Sequence, residues 1–152
     1  MPLATVGQTP LFADANSTWR GLASPAFVPR RTVYLPSEAK PFLTNGPSAE
    51  ARIHSQTFSA HRLTFDVEAD GSTWLVLSQS HHPRWKAWVD EKPTRIWLAN
   101  GGFQAIEVPE GRHAVRLAYL DRAFHLGACL SFTSLGLCAA LFLRRRSMTA
   151  VA

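Results

Sequence analysis

The stretch HRLTFDVEADGSTWLVLSQS, His61–Ser80, decides how the chain is read. Its first half alternates. Leu63, Phe65 and Val67 fall on one face, and Arg62, Thr64, Asp66 and Glu68 on the other. Successive side chains of a strand point to opposite faces, so this is the period of a half-buried β-strand. Asp70–Gly71 is a dipeptide that favours a hairpin turn. Trp74–Leu77 is an apolar run, as a strand shows when both its faces are covered.

Outward from this stretch the pattern repeats. RWKAWVD sets Trp85, Ala87 and Val89 against Lys86, Trp88 and Asp90. DEKP is turn-like, TRIWLA resumes a strand, NGG breaks it and FQAIEV resumes again. PEGRH makes another turn, and HAVRLAYL alternates Val115, Leu117 and Tyr119 with more polar positions. Short strands at this spacing predict an all-β, antiparallel, jelly-roll-like β-sandwich over 51–122. Residues 1–50 read as an irregular lead-in. STWRGLA suits a helical turn or two, RRTVYL a strand, and PSEAKPFLTNGPSAE a surface loop.

The apolar stretch FHLGACLSFTSLGLCAALFL, Phe124–Leu143, contains no acid, Lys, Arg or Pro. A helix of that length covers about 30 Å, the thickness of a bilayer's hydrocarbon. Arg144, Arg145 and Arg146 follow at once, in the positive-inside pattern. The expectation is one transmembrane helix over 123–143 with a cytoplasmic basic tail over 144–152. The sandwich would then lie outside the cytoplasmic membrane of a bacterium, and the lipid bilayer is the first partner implied. Gly127 with Ser131, and Gly136 with Ala140, are small-xxx-small pairs that can seat a neighbouring helix. Cys129 and Cys138 are too far apart on a helix for a disulfide. The first residues lack the basic and apolar regions of a secretory signal. Further spans in a longer parent protein are one way to carry the domain across.

The chain has 152 residues, of which 46% are apolar and 18% charged. Its formal net charge is +5, and without the arginine triplet it falls to +2. That balance gives no nucleic-acid footprint.

SHHPRWKAWVDEKP, Ser80–Pro93, is the densest cluster of chemical groups. His81 and His82 are adjacent, so in a strand they would point to opposite faces, and the other histidines show no ligand spacing. Asp90 and Glu91 sit together in a turn, whereas paired catalytic carboxylates face each other across a substrate. No nucleophile elbow or phosphate-binding loop occurs. The expectation is therefore no catalytic residue, no metal and no cofactor. Binding is the remaining reading. Trp85 shares the phase of Ala87 and Val89 and belongs to the core, while Trp88 shares a face with Lys86 and Asp90 and suits the surface. The candidate contacts for a glycan or protein partner are His82, Trp85, Lys86, Trp88, Asp90 and Asn100.

Over most of its length the chain resembles the C-terminal end of YfhO-type bacterial membrane proteins. The motif there is roughly L-V-L-S-x-x-Y-Y-P-G-W-x-A-x-V-D-G-x, then A-N-x-x-F-x-A-V-x-V-P-x-G-x-H. Leu75, Val76, Leu77, Ser78, Pro83, Trp85, Ala87, Val89 and Asp90 match its first part. Ala99, Asn100, Phe103, Ala105, Val108, Pro109, Gly111 and His113 match the second. The aromatic pair is replaced by His81–His82, and the two glycines by Arg84 and Glu91. The resemblance implies relation to large polytopic proteins similar to GT-C glycosyltransferases, which use lipid-linked sugars to modify cell-surface polymers. Their catalytic acid is expected among N-terminal membrane helices that have no counterpart here. The chain would then be a non-catalytic accessory domain, with other helices of a YfhO-like protein and a glycan or lipid-linked sugar as partners. The alternative is a free-standing, membrane-tethered carbohydrate- or protein-binding module.

Overall fold

The computed structural model describes residues 3–42 and 49–149; the side chains of residues 41–42, 122, 125 and 139–149 lie outside that description. The chain divides into two compact units, Met1–Leu120 and Asp121–Ala152. The first contains strands β1 (Ala4–Thr5) and β2 (Thr9–Ala13), helix α1 (Ala15–Leu22), strand β3 (Thr32–Pro36) and a 3-10 helix (Ser37–Phe42). Strands β4 (Ala51–Phe58), β5 (Arg62–Ala69), β6 (Thr73–Leu77) and β7 (Trp85–Val89) follow. The last are β8 (Lys92–Thr94), β9 (Trp97–Ala99), β10 (Phe103–Val108) and β11 (Gly111–Tyr119).

Two antiparallel sheets organise this unit. One has five strands in the order β4-β5-β11-β7-β8, and the other four in the order β1-β6-β10-β9. A parallel pair, β2-β3, stands apart. The expected jelly-roll narrows to these two antiparallel sheets sharing a core. Leu63, Phe65 and Val67 of β5, with Val115 and Leu117 of β11, meet Leu75, Leu77, Ile106 and Val108 of the second sheet. Trp85, Ala87 and Val89 complete the layer, as their alternation requires. Each such side chain contributes roughly 1.5–3 kcal/mol when fully buried.

A second core lies on the other face of the four-stranded sheet. There Trp74, Val76, Trp97, Ala99 and Ala105 pack with Val33, Leu35 and Ala39. Strand β6 is therefore buried at every position, Thr73 to Leu77. Residues before 51 thus supply an edge strand, β1, and a covering layer. Residues 43–48 of the expected surface loop lie outside the described residues.

The Asp70–Gly71 hairpin is overturned. β5 and β6 belong to different sheets, and Asp70 N donates to Glu50 O at 3.0 Å instead of closing a turn. The dipeptide is a bridge between layers, and Gly71 is not at positive φ. Pro109–Glu110 makes the same kind of crossing between β10 and β11. The turns that need positive φ are elsewhere. Asp90 and Glu91 have φ of 48° and 64° in the two-residue link between β7 and β8. Asn100 and Gly101 have φ of 47° and 71° between β9 and β10. Positive φ at both central residues is the type I′ pattern, whose twist suits a hairpin.

The second unit carries helix α2 (Arg122–Thr149). Among the described residues no helix is long and apolar enough to cross a membrane. The span expected over 123–143 is corrected to the helix itself, because Gly127, Ser131, Thr133, Ser134 and Gly136 dilute its apolar character. The exposed side chains Phe124, Phe132 and Leu135 lie on one side of α2, and Leu126, Leu130 and Leu137 on the opposite side. Cys129 and Cys138 are free.

Candidate functional site

The six candidate contacts fall into four environments. His82 is exposed and Trp85 buried, and both surround Tyr119: the centroid separations are 5.6 Å and 5.5 Å. Trp85 meets Tyr119 edge-on and is a core side chain, with no face left for a ligand. His82 Nδ1 accepts from Arg84 N, which folds the PR turn that feeds β7.

Lys86 and Trp88 share the outer face of the five-stranded sheet. Arg116 pairs with Trp88 in register and places its guanidinium 4.2 Å from the ring centroid. The same guanidinium donates to Glu91 at 2.9 Å. Trp88 is thus half-buried beneath a cation, a contact worth roughly 0.5–1 kcal/mol at an exposed site.

Asp90 is bound into the backbone. Its Oδ1 accepts from Ala114 N at 2.9 Å and its Oδ2 meets His113 Nδ1. His113 Nε2 meets Glu110 O at 2.9 Å. Two acceptors on one imidazole favour its doubly protonated form. The hydrogen bond to Asp90 raises the His113 pKa above the ordinary histidine value, and the same bond holds the Asp90 carboxyl below the usual carboxylate range. Both ring nitrogens are occupied, so this His–Asp pair has no nitrogen left to act on a nucleophile. The motif residues Asp90, Pro109, Gly111 and His113 gather here at one end of the sandwich.

Asn100 ties the covering layer to the second sheet. Its Oδ1 accepts from Tyr34 N at 2.8 Å, and its own N donates to Tyr34 O at 2.9 Å. On α2, Gly127, Ser131 and Gly136 are exposed, and the side chain of Ala140 lies outside the described residues. Among the described residues no group of three or more His, Cys, Asp and Glu side chains could hold a metal ion.

The sequence reading missed an open groove of about 340 Å³ between α1, β3 and the Asn100–Gly101 turn. Trp19, Tyr34, Leu98 and Pro36 wall it, with Asp14, Ser37 and Glu38 at its border. Two glycines allow this packing. A Cβ on Gly21 would stand 2.1 Å from the Tyr34 hydroxyl, and one on Gly101 would stand 2.9 Å from Trp19 Cζ2. Trp19 lies against the Gly101 turn and is still 59% exposed. Asp14 caps α1 by accepting from Ser17 N at 2.7 Å, and that bond holds its carboxyl below the usual range. The signal for the groove was the pairing of a Trp in STWRGLA with an NGG turn. The two are some 80 residues apart, and nothing in the local pattern joins them.

A family model for the bacterial membrane protein YfhO matches residues 47–131, just over half of the chain. The chain belongs to the YfhO family. The matched region begins before β4 and runs through β11 into α2, so it takes in the whole five-stranded sheet and β6, β9 and β10 of the other, leaving out its edge strand β1. It also includes the Asp90–His113 clasp and Asn100. Trp19 and Tyr34 precede it, so the groove joins residues inside and outside the YfhO match. No curated protein and no solved structure matches the chain.

Proposed function

We propose that this YfhO-family chain is a membrane-attached, non-catalytic β-domain that holds a glycan, or the sugar of a lipid-linked acceptor, beside a transfer reaction carried out elsewhere. One observation carries the reading: an exposed Trp19 lines a groove bordered by carboxylates and a hydroxyl. A pyranose stacks its C–H face on such a ring while its hydroxyls donate to carboxylates such as Glu38. The non-catalytic part is supported by the Asp90–His113 pair, both of whose members are committed to holding the hairpin.

Membrane attachment is supported by α2. A helix that is apolar on opposite sides finds few partners in water. Two of its hydroxyls also need no water: Thr133 Oγ1 donates to Leu130 O and Ser134 Oγ to Ser131 O, each at 2.9 Å. Gly127 and Gly136 have nothing within 4 Å of where a Cβ would be, so another helix can approach them closely. Too dilute in apolar residues to cross alone, α2 is read as a helix that enters the bilayer only when packed against other helices.

The test is an array of soluble oligosaccharides from bacterial cell-surface polymers, probed with the detergent-solubilised full chain. Wild type retains a subset. Trp19→Ala loses that subset at an unchanged melting temperature. Retention that survives Trp19→Ala, or no retention at all, refutes the groove as a sugar site.

A further inference from the structure

The acids of the five-stranded sheet gather toward one end of its strands, together with Arg52, Lys92 and Arg112, and the rows at its other end carry bases alone. The row Ala51–Ala69–Gly111 marks one end, and Trp85–Tyr119 marks the other. Glu68, Asp70, Asp90, Glu91 and Glu110 stand at or next to the first end, and Asp66 is held by Arg112. The opposite end contains the rows Leu63–Leu117–Ala87 and Arg62–Ala118–Lys86, and neither has an acid.

Arg62 and Lys86 flank the small Ala118 on the outer face, both exposed, with no carboxylate partner among the described residues. Two imidazoles stand at the same end, His61 and His82, both against the ring of the inward-facing Tyr119. Apolar side chains are exposed at this end as well. Phe58 faces Leu63 in register, and Leu120 N bonds to Arg84 O at 3.0 Å. The nearest acid along the chain, Asp121, accepts from Phe124 N at 3.0 Å. β11 ends here, at Tyr119.

Exposed cations beside exposed apolar groups, with the acids of the strands kept at the far end, match an anionic lipid–water boundary. We infer that this end docks on the anionic phospholipid surface, with Arg62 and Lys86 meeting headgroup phosphates and Phe58 and Leu120 the edge of the acyl layer. This rests on the reading that α2 enters the bilayer. A protein partner for the same end is an outcome that the test separates.

Lys86 and Lys92 are both exposed and stand at opposite ends of β7 and β8, which supplies an internal control. The full chain is reconstituted into nanodiscs of phosphatidylcholine, with or without phosphatidylglycerol, and its lysines are acylated and read by mass spectrometry. In anionic discs Lys86 should react about fivefold more slowly relative to Lys92 than in neutral discs, the factor expected for a basic side chain at a charged surface. Raised salt and Arg62→Gln should each reduce that protection. Equal reactivity of Lys86 in both disc types overturns the docking but leaves membrane insertion intact. Equal protection in both types also overturns it, since a protein contact or neutral lipid would then cover the end. Failure of the chain to enter either disc overturns the membrane reading and the docking with it.

Discussion

Replacing Glu91 by glycine should stabilise the fold, although it removes an ion pair. Glu91 occupies φ of 64° in the second position of the Asp90–Glu91 turn, where the related motif carries glycine. A side chain in the left-handed region costs roughly 1–2 kcal/mol. Against this stands the Glu91–Arg116 pair at 2.9 Å, whose Glu91 side chain is 81% exposed. A pair so open to water contributes about 0–1 kcal/mol, nearer the low end. Glycine also gives the unfolded chain more freedom, a loss of roughly 0.5–1 kcal/mol. The balance is a gain of about 0.5 kcal/mol, or roughly 2 °C in melting temperature. Urea and thermal unfolding of the full chain in detergent, followed by tryptophan fluorescence, measure it. Glu91→Gln is the companion, since it removes the ion pair, keeps a side chain at the same φ and leaves the Arg116–Trp88 contact in place. A loss of 1 kcal/mol or more in Glu91→Gly, equalled in Glu91→Gln, would show that the ion pair outweighs the turn geometry and refute the reasoning.

The Asp90–His113 clasp gives stability a definite pH window. His113 has a raised pKa, so its contribution is complete below about pH 6.5 and lost as pH rises through its folded value. Asp90 has a lowered pKa, so its share is present above about pH 3.8 and lost as pH falls through the depressed value. Melting temperature should therefore fall on both sides of that range, and His113→Gln should flatten the alkaline side and, because the same bond depresses Asp90, weaken the acid side as well; an unchanged alkaline slope refutes the assignment. Trp74 is 1% exposed, so Trp74→Ala should cost about 3–5 kcal/mol in urea unfolding. Trp74→Phe should cost under about 1.5 kcal/mol, because it also removes an indole N–H buried without a partner among the described residues.

Alternation in the sequence identified the inward faces of β5, β7 and β11, and continuous apolarity marked β6 as covered on both sides. Period alone says which side chains are buried, not which strand lies beside which. Asp70–Gly71 shows the difference: its chemistry suits a hairpin, but Leu75 and Leu77 pack against β5 from the opposite layer. The parallel pairing of β2 with β3 depends on α1 crossing between them, which few local residues specify. Among the candidate contacts, alternation places Trp88 on the outer face with Lys86. The partners of Asp90 and Asn100, His113 and Tyr34, are 23 and 66 residues away and become visible only in three dimensions.

The position of β11 in the five-stranded sheet has a consequence for how the chain becomes a domain. The last strand to be synthesised lies in the middle, between the β4–β5 and β7–β8 hairpins. Until residues 111–119 arrive, the two hairpins have no backbone link, and β5 and β7 each expose an unpaired edge. Pairs such as Arg62 with Ala118 also close a long loop, which slows folding. The sheet therefore closes late and all at once, and a ribosome stalled before Tyr119 holds two sticky half-sheets for chaperones to shield.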